Sequence, residues 1–506
     1  MQMKKLICML LGLVTFFLIL LLPESIIDSW MVKATAAVTI LMIIWWITEA
    51  VPIEATALVP LIGFPLLGVL SPGVASSAYG DKIIFLFLGG FIIAISMQRW
   101  NLHRRIALNI IKKVGTSPKK LILGFMVATG FLSMWISNTA TAMMMIPIAI
   151  AIIATILPNY NSDTDEMTTE QKDFSAALVI SIAYAASIGG IATIIGTPPN
   201  GIFVSQLQAI FPGAPTIDFF SWMMFGVPLA ALMIPLSWLW LVSVPFRHIP
   251  KTLAHTEEII DSELETLGSM GRGEKWTLLV FVLTALMWIF STTKEIGGVT
   301  IPGLSVIFPG IDDSTIAIIG ALLLFCLPVD IKKGLYVMNW EWAKKIPWGI
   351  LILFGGGICL SKAFIESGLA DRIVQYLSAL DALPIILIVF LVVLVVSFLT
   401  EVTSNTAIAS VMMPITAVTA ISLLVHPYLF MIGAALAASL AFMLPVATPP
   451  NAVAYGTGYI KLQEMAKTGF ALNMMGVLLI TIFMFTVIPW ALGFDPFSMP
   501  AWAISP

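Results

Sequence analysis

Charge is scarce in this chain. Only 10% of its 506 residues are Asp, Glu, Lys or Arg, where a soluble domain carries about 25%. With 59% hydrophobic residues and a mean hydropathy of +1.01, the sequence reads as an integral membrane protein. The net charge of −3 and the lack of a basic face offer nothing to a nucleic acid. Cysteine is scarce too. Cys8, Cys326 and Cys359 sit in apolar runs with neither disulfide nor metal spacing, and read as small core residues. The four histidines, His103, His248, His255 and His426, are scattered. With no H-E-x-x-H and no nucleophile–base pair, no metalloenzyme or intramembrane hydrolase is expected. A secretory cleavage site is missing as well. Pro-Glu-Ser follows the apolar run 6–22 where an A-x-A site would stand, so a retained first helix is expected.

What is present is apolar sequence in long continuous blocks, near 6–22, 33–50, 53–70, 83–98, 119–158, 174–207, 219–245, 276–292, 314–328, 348–365, 384–424, 429–460 and 468–492. They do not alternate as barrel strands do, and most approach the ~20 residues of a helical span. Blocks 119–158 and 384–424 are too long for one helix. Each holds Ser-Asn-Thr inside it, so each reads as a helix pair broken there, either two spans or a re-entrant hairpin. Starting the N-terminus inside and alternating places 20 of the 25 Lys and Arg residues inside, with only Lys33, Lys82, Lys294, Lys362 and Arg372 outside. The positive-inside bias thus expects a cytoplasmic N-terminus and an extracellular C-terminus. The polar connections 159–173 and 246–275 fall inside, and the second reads as a solvated charged linker in preference to an amphipathic surface helix. Residues 101–116 read as an interfacial helix, apolar on one side and basic on the other.

The chain also repeats itself. FLFLGGF (85–91) aligns with LILFGGG (351–357), SNT at 137 with SNT at 404, and GTPPNGI (196–202) with ATPPNAV (447–453), at offsets of 266, 267 and 251. The order is the same, and the polar insert 159–173 of the first copy accounts for the shorter last offset. By the charge bias the two copies run in opposite directions. Inverted repeats with interrupted helices are the architecture of many secondary transporters, with a site near the bilayer midplane.

The motifs suit such a site. A broken helix leaves free N–H groups at one end, which attract anions, and free C=O groups at the other, which suit a hard cation such as Na⁺. Asn offers donor and acceptor in one side chain. The paired prolines of TPPN remove two backbone donors and disfavour helix before them. No charged residue lies between Leu121 and Pro158, and Glu401 is the only one between Pro384 and Ile460. An anionic substrate must therefore be held by neutral donors and helix ends, with co-bound cations balancing its charge. A proton relay would need buried acids or histidines. Glu401 is the one candidate, and it reads as structural, beside the second tip. Small residues packing helices explain one SNT, but not two SNT and two TPPN copies in inverted order. A channel has no use for both.

At these residues the sequence resembles the divalent anion/sodium symporter family. The motifs that carry the resemblance are SMWISNTATAMMMIPIA (133–149), TEVTSNTAIASVMMPI (400–415), MLPVATPPNA (443–452), GTPPN (196–200) and WWITEAVPIEATALVPL (45–61). The resemblance implies an all-α fold of about 11 transmembrane helices plus two re-entrant hairpins, working as a homodimeric elevator in the plasma membrane among lipid. It implies a scaffold of 1–117 and 275–383, a transport domain of 118–245 and 384–506, and a cytoplasmic linker of 246–274. One sodium site maps onto Ser133, Ser137, Asn138 and Gly196, the other onto Thr400, Thr403, Asn405 and Ala447. Substrate carboxylates map onto Asn138, Thr139, Thr197, Asn405, Thr406 and Pro449. Ser133 and Thr400 each precede SNT by four residues, which a helical step would set over the tip. The expected activity is sodium-coupled import of C4-dicarboxylates such as succinate, malate and fumarate, with Na⁺ as coupling ion and no organic cofactor. A sodium-independent exchanger, or a citrate or sulfate carrier, is the alternative.

Overall fold

The structure is a computed structural model that describes residues 2–504 apart from 24, 28, 157–166, 254–255, 297–298, 371 and 374–382. Most of the 159–173 connection and His255 lie outside the described residues. Helices dominate. The strands among the described residues form two short antiparallel ribbons, Lys294–Ile296 with Val299–Ile301 and Pro328–Asp330 with Leu335–Tyr336. Among the described residues eight helices are long and apolar enough to cross a membrane, from Met3–Leu20 to Leu462–Phe485. The other expected crossings fall on shorter apolar helices such as Ile53–Leu66 and Asp313–Cys326, or on Arg272–Ile289, whose first turn carries Arg272, Glu274 and Lys275. The first helix exposes Leu6, Leu10, Val14 and Phe17, a surface that lipid would cover.

Both over-long apolar blocks break at their SNT. The first hairpin is Pro118–Ser133 followed by Asn138–Ile156, and the second is Ile385–Leu399 followed by Asn405–Ser422. Both TPPN segments interrupt a helix: Thr169–Gly190 resumes as Pro198–Ile210, and Tyr428–Ala438 as Pro449–Gly456. The prolines sit in the first turn of the resumed helix, where a missing N–H costs nothing.

The two copies interlock. Pro198–Ile210 of the first packs on Asn405–Ser422 of the second, and Pro449–Gly456 packs on Asn138–Ile156 and Thr169–Gly190. Gln206 Nε2 donates to Ser410 O at 3.3 Å, and Ser361 Oγ donates to Gln206 Oε1 at 2.6 Å. The glycine motifs serve close approach: a methyl on Gly89 would lie 2.5 Å from Ala317 backbone atoms, and one on Gly356 2.5 Å from Ala57 O.

The interfacial helix forms at Leu102–Val114 and buries Leu102, His103, Ala107, Leu108 and Ile111. Of the two readings of 246–275, the less favoured one forms in part, as the helix Thr256–Leu267. Its acidic face meets the basic face of Leu102–Val114: Glu263 pairs with Arg104, Asp261 with Lys112, and the neighbouring Glu274 with Arg105. Ile260 is buried beneath. Opposite charge brought from 150 residues away supplies what the local composition does not show. A second set of polar links joins Phe219–Ser243 to residues 291–313. Asp218 caps that helix through Ser221 N at 2.8 Å and accepts from Lys294 Nζ at 2.7 Å, while Asp313 Oδ2 accepts from Phe219 N at 2.7 Å.

Candidate functional site

The SNT tips are built by capping. Ser137 Oγ accepts from Ala140 N at 3.4 Å and Ser404 Oγ from Ala407 N at 3.5 Å, so each serine starts the second arm of its hairpin. The asparagine then folds back. Ser133 Oγ donates to Asn138 Oδ1 at 2.7 Å, and Thr400 Oγ1 donates to Asn405 Oδ1 and to Ala438 O. The expected hydroxyl-over-tip geometry is thus realised at the asparagine five residues on, because each first arm ends at or just before its hydroxyl and the chain turns there.

The TPPN breaks are held from inside. Thr197 and Thr448 are extended, at φ −145°, ψ 142° and φ −142°, ψ 148°, as the residue before a proline prefers. Asn200 Nδ2 donates to Gly190 O at 3.1 Å and Thr193 O at 2.7 Å; Asn451 Nδ2 donates to Ala441 O and Leu444 O, both at 3.1 Å. These pairs stand at the same offset of 251 as the motifs. The TPPN asparagine is therefore a clamp across the break, and both are fully buried.

Tips and breaks meet at one cavity of about 830 Å³. All six expected substrate residues, Asn138, Thr139, Thr197, Asn405, Thr406 and Pro449, line it. Of the expected sodium residues, Ser137, Asn138, Gly196, Thr403, Asn405 and Ala447 line it too, while Ser133 and Thr400 are buried behind it as donors to the asparagines. Ser404 and Thr448, the repeat counterparts of Ser137 and Thr197, also line the wall, and repeat alignment alone would have added both.

The cavity's charge comes from the backbone. Four helices begin in its lining, at Asn138, Pro198, Asn405 and Pro449. Each helix start presents about half a positive elementary charge and free N–H groups. Among the described residues no Lys or Arg lines the cavity. Glu49 and Glu54 do, exposed in the facing wall with Thr48 and Ile350. Sequence reasoning passed over them, although they are the only acids between Lys33 and Asp81. They repel a dianion and attract its cations. The arrangement can hold a doubly charged anion on helix starts, with cations on hydroxyl, amide and carbonyl oxygens at the same tips.

The model of the family described as the sodium:sulfate symporter transmembrane region matches residues 3–492. The chain belongs to that family, the divalent anion/sodium symporters. Among its relatives is the sodium-dependent dicarboxylate transporter SdcS of Staphylococcus saprophyticus, 43% identical over 502 residues, covering 97% of this chain and 93% of that one. SdcS of Staphylococcus aureus strain NCTC 8325 is 44% identical over 494 residues, covering 97% and 92%. Two solved structures share the fold of this symporter-family chain. The YdaH transporter of Alcanivorax borkumensis has a TM-score of 0.57 at 13% identity, covering 93% of this chain and all of that one. MtrF of Neisseria gonorrhoeae has a TM-score of 0.57 at 14% identity, covering 85% of each.

Proposed function

We propose that the protein is a sodium-coupled secondary transporter that imports C4-dicarboxylates such as succinate, malate and fumarate across the plasma membrane. The observation that carries this reading is the meeting of four helix starts, two from each repeat, at one cavity without a basic side chain. Such a cavity attracts a dianion, but Glu49 and Glu54 in its lining offset the four helix starts, so binding improves when cations enter with the substrate. The names of the SdcS relatives point to the same substrate class and ion.

In this reading Asn138, Thr139, Thr197, Asn405, Thr406 and Pro449 face the carboxylates. Na⁺ sits near each tip, at Ser133, Ser137, Asn138 and Gly196 and at Thr400, Thr403, Asn405 and Ala447. The hairpins and interrupted helices, 118–245 with 384–506, move as one body against 1–117 with 275–383, with 246–274 as a cytoplasmic linker. Their mutual packing favours movement as a unit. The N-terminus is cytoplasmic, the C-terminus extracellular, and two copies work as a homodimer.

The test is uptake of labelled succinate into proteoliposomes, with and without an inward Na⁺ gradient, into empty and succinate-loaded lumens. Concentrative uptake into empty vesicles only with Na⁺ is expected. Uptake that ignores Na⁺ and needs internal succinate would make the protein an exchanger, and stronger competition by citrate or sulfate would change the substrate.

A further inference from the structure

The two tips match each other closely, yet they differ by one charge. The residue after the bonding hydroxyl is Met134 in the first copy and Glu401 in the second. In the first copy the tip is tied to its break by a neutral group: Thr193 Oγ1 donates to Met134 O and accepts from Gly196 N at 3.1 Å. The counterpart of Thr193 is Leu444, which has no hydroxyl. There the tie is the carboxylate. Glu401 Oε1 accepts from Phe442 N at 2.7 Å, Met443 N at 3.0 Å and Asn473 Nδ2 at 2.6 Å, and Oε2 accepts from Met443 N at 3.1 Å and Leu444 N at 3.0 Å. Every partner is a donor. A protonated acid would set its hydrogen against one of them, so the pocket is built for the anion.

Glu401 is 3% exposed and adjoins Thr400 in the chain. It also fixes the segment 442–444, whose Leu444 O accepts from Ala447 N at 3.2 Å. Its carboxylate therefore joins the turn that carries Thr400 and Thr403 to the segment that leads into Ala447. The first copy supplies no buried acid of its own: none occurs between Leu121 and Pro158 or between Phe174 and Ile217, and Glu49 and Glu54 lie exposed in the cavity that both tips share. A cation entering a low-dielectric site binds far better beside a fixed negative charge.

We propose that Glu401 is the fixed countercharge of the cation position at the second tip. This position then takes Na⁺ before substrate arrives, whereas the first tip takes Na⁺ only together with an anionic substrate. The inference rests on the sodium coupling proposed above.

The experiment is Na⁺ titration of the purified full-length protein in nanodiscs without substrate, with choline as replacement ion, read by thermal midpoint. Wild type is expected to show a saturable shift. Glu401→Gln is expected to lose it or to raise its half-saturating Na⁺ at least tenfold. Asn473→Leu removes one donor but keeps the charge, and is expected to stay within threefold of wild type. If Glu401→Gln responds like wild type, or if both variants weaken alike, the countercharge role is refuted and Glu401 is a structural tie only. Should Glu401→Gln not fold, hydroxyl removal decides: Thr400→Val is expected to weaken the substrate-free response and Ser133→Ala to spare it, and equal or reversed effects overturn the proposal. Wild type that transports with Na⁺ but gives no substrate-free shift sinks this inference alone. Wild type with neither response sinks the sodium reading as well.

Discussion

Gly190 and Gly189 are adjacent at the end of the first half of an interrupted helix, yet a methyl on each meets a different obstacle. On Gly190 it would lie 2.6 Å from Asn138 Oδ1, 3.1 Å from Nδ2 and 3.2 Å from Cγ, all side-chain atoms of the first tip. Ordinary contact begins near 3.4 Å, so the amide must withdraw by about 0.8 Å to relieve the overlap. Gly190→Ala thus displaces a proposed ligand without touching it chemically. Losing a charge-assisted contact costs about 1.5–3 kcal/mol, roughly a 10- to 150-fold weakening, and a misplacement near 1 Å alone can cost on the order of 100-fold in rate. On Gly189 a methyl would lie 2.2–2.7 Å from backbone atoms of Gly130, which cannot step aside, so Gly189→Ala should damage the fold itself. The assay pairs thermal midpoint in choline with Na⁺- and succinate-dependence of uptake. Gly190→Ala is expected to keep its midpoint within a few degrees and to raise half-saturating Na⁺ or succinate at least tenfold. Gly189→Ala is expected to lose folded yield. Gly190→Ala with wild-type half-saturation would refute the placement of Asn138 in the site. The second copy already carries Ala441 at this position, so the tight fit belongs to the first tip alone.

Other outcomes follow from the polar network. Asn200→Leu or Asn451→Leu leaves two buried carbonyls without their donor, at about 1–3 kcal/mol each, and should depress the thermal midpoint more than Thr139→Val at the cavity wall does. Lys294→Met strips Asp218 of its cation in a setting where the two side chains are only 8% and 12% exposed; breaking such a pair costs about 3–5 kcal/mol, and the double variant Lys294→Met/Asp218→Asn should recover most of it by denaturation. His426 lies in the loop after the second hairpin against Tyr428, Phe494 and Trp502, and burial pushes it from 6.5 down to about 4, against the pull of Asp495. Because the unfolded chain takes up that proton first, stability should be full above pH 6.5 and fall as pH drops toward 4, by about 3 kcal/mol in all. His426→Phe should flatten that slope in melting curves between pH 4.5 and 8.

The parts of the site that were legible in sequence were those written twice. SNT and TPPN each break a long apolar block, and the composition around them is so uniform that each break stands out. What the sequence left hidden depends on partners far along the chain. The 256–267 segment looked solvated because its counter-charges, Arg104 and Lys112, are some 150 residues away. Glu49 and Glu54 line the cavity from a turn, with Glu49 at φ 47° in the left-handed region, that no motif in the sequence ties to the tips. Ser133 and Thr400 were tied to the tips by their spacing, but a helical step pointed at the serine, and the actual acceptor is the asparagine beyond the turn.

A perfect duplication would leave the two proposed cation positions with no order between them. Two identical cation positions have the same affinity, so neither is set apart as the one that answers to substrate. A fixed order of binding needs positions that differ, one ready before the substrate and one that depends on it. The departures from symmetry fall where that difference would be made. Met134 corresponds to Glu401, Thr193 to Leu444 and Gly190 to Ala441 in the repeat, while the bonding hydroxyls, tip asparagines and TPPN clamps are kept in both copies. The shared residues give both tips the same geometry; the substituted ones give one tip a charge and the other a tight neutral fit around Asn138. If Glu401 sets the order of binding as proposed, exchanging Met134 and Glu401 is expected to exchange that order while leaving the cavity in place.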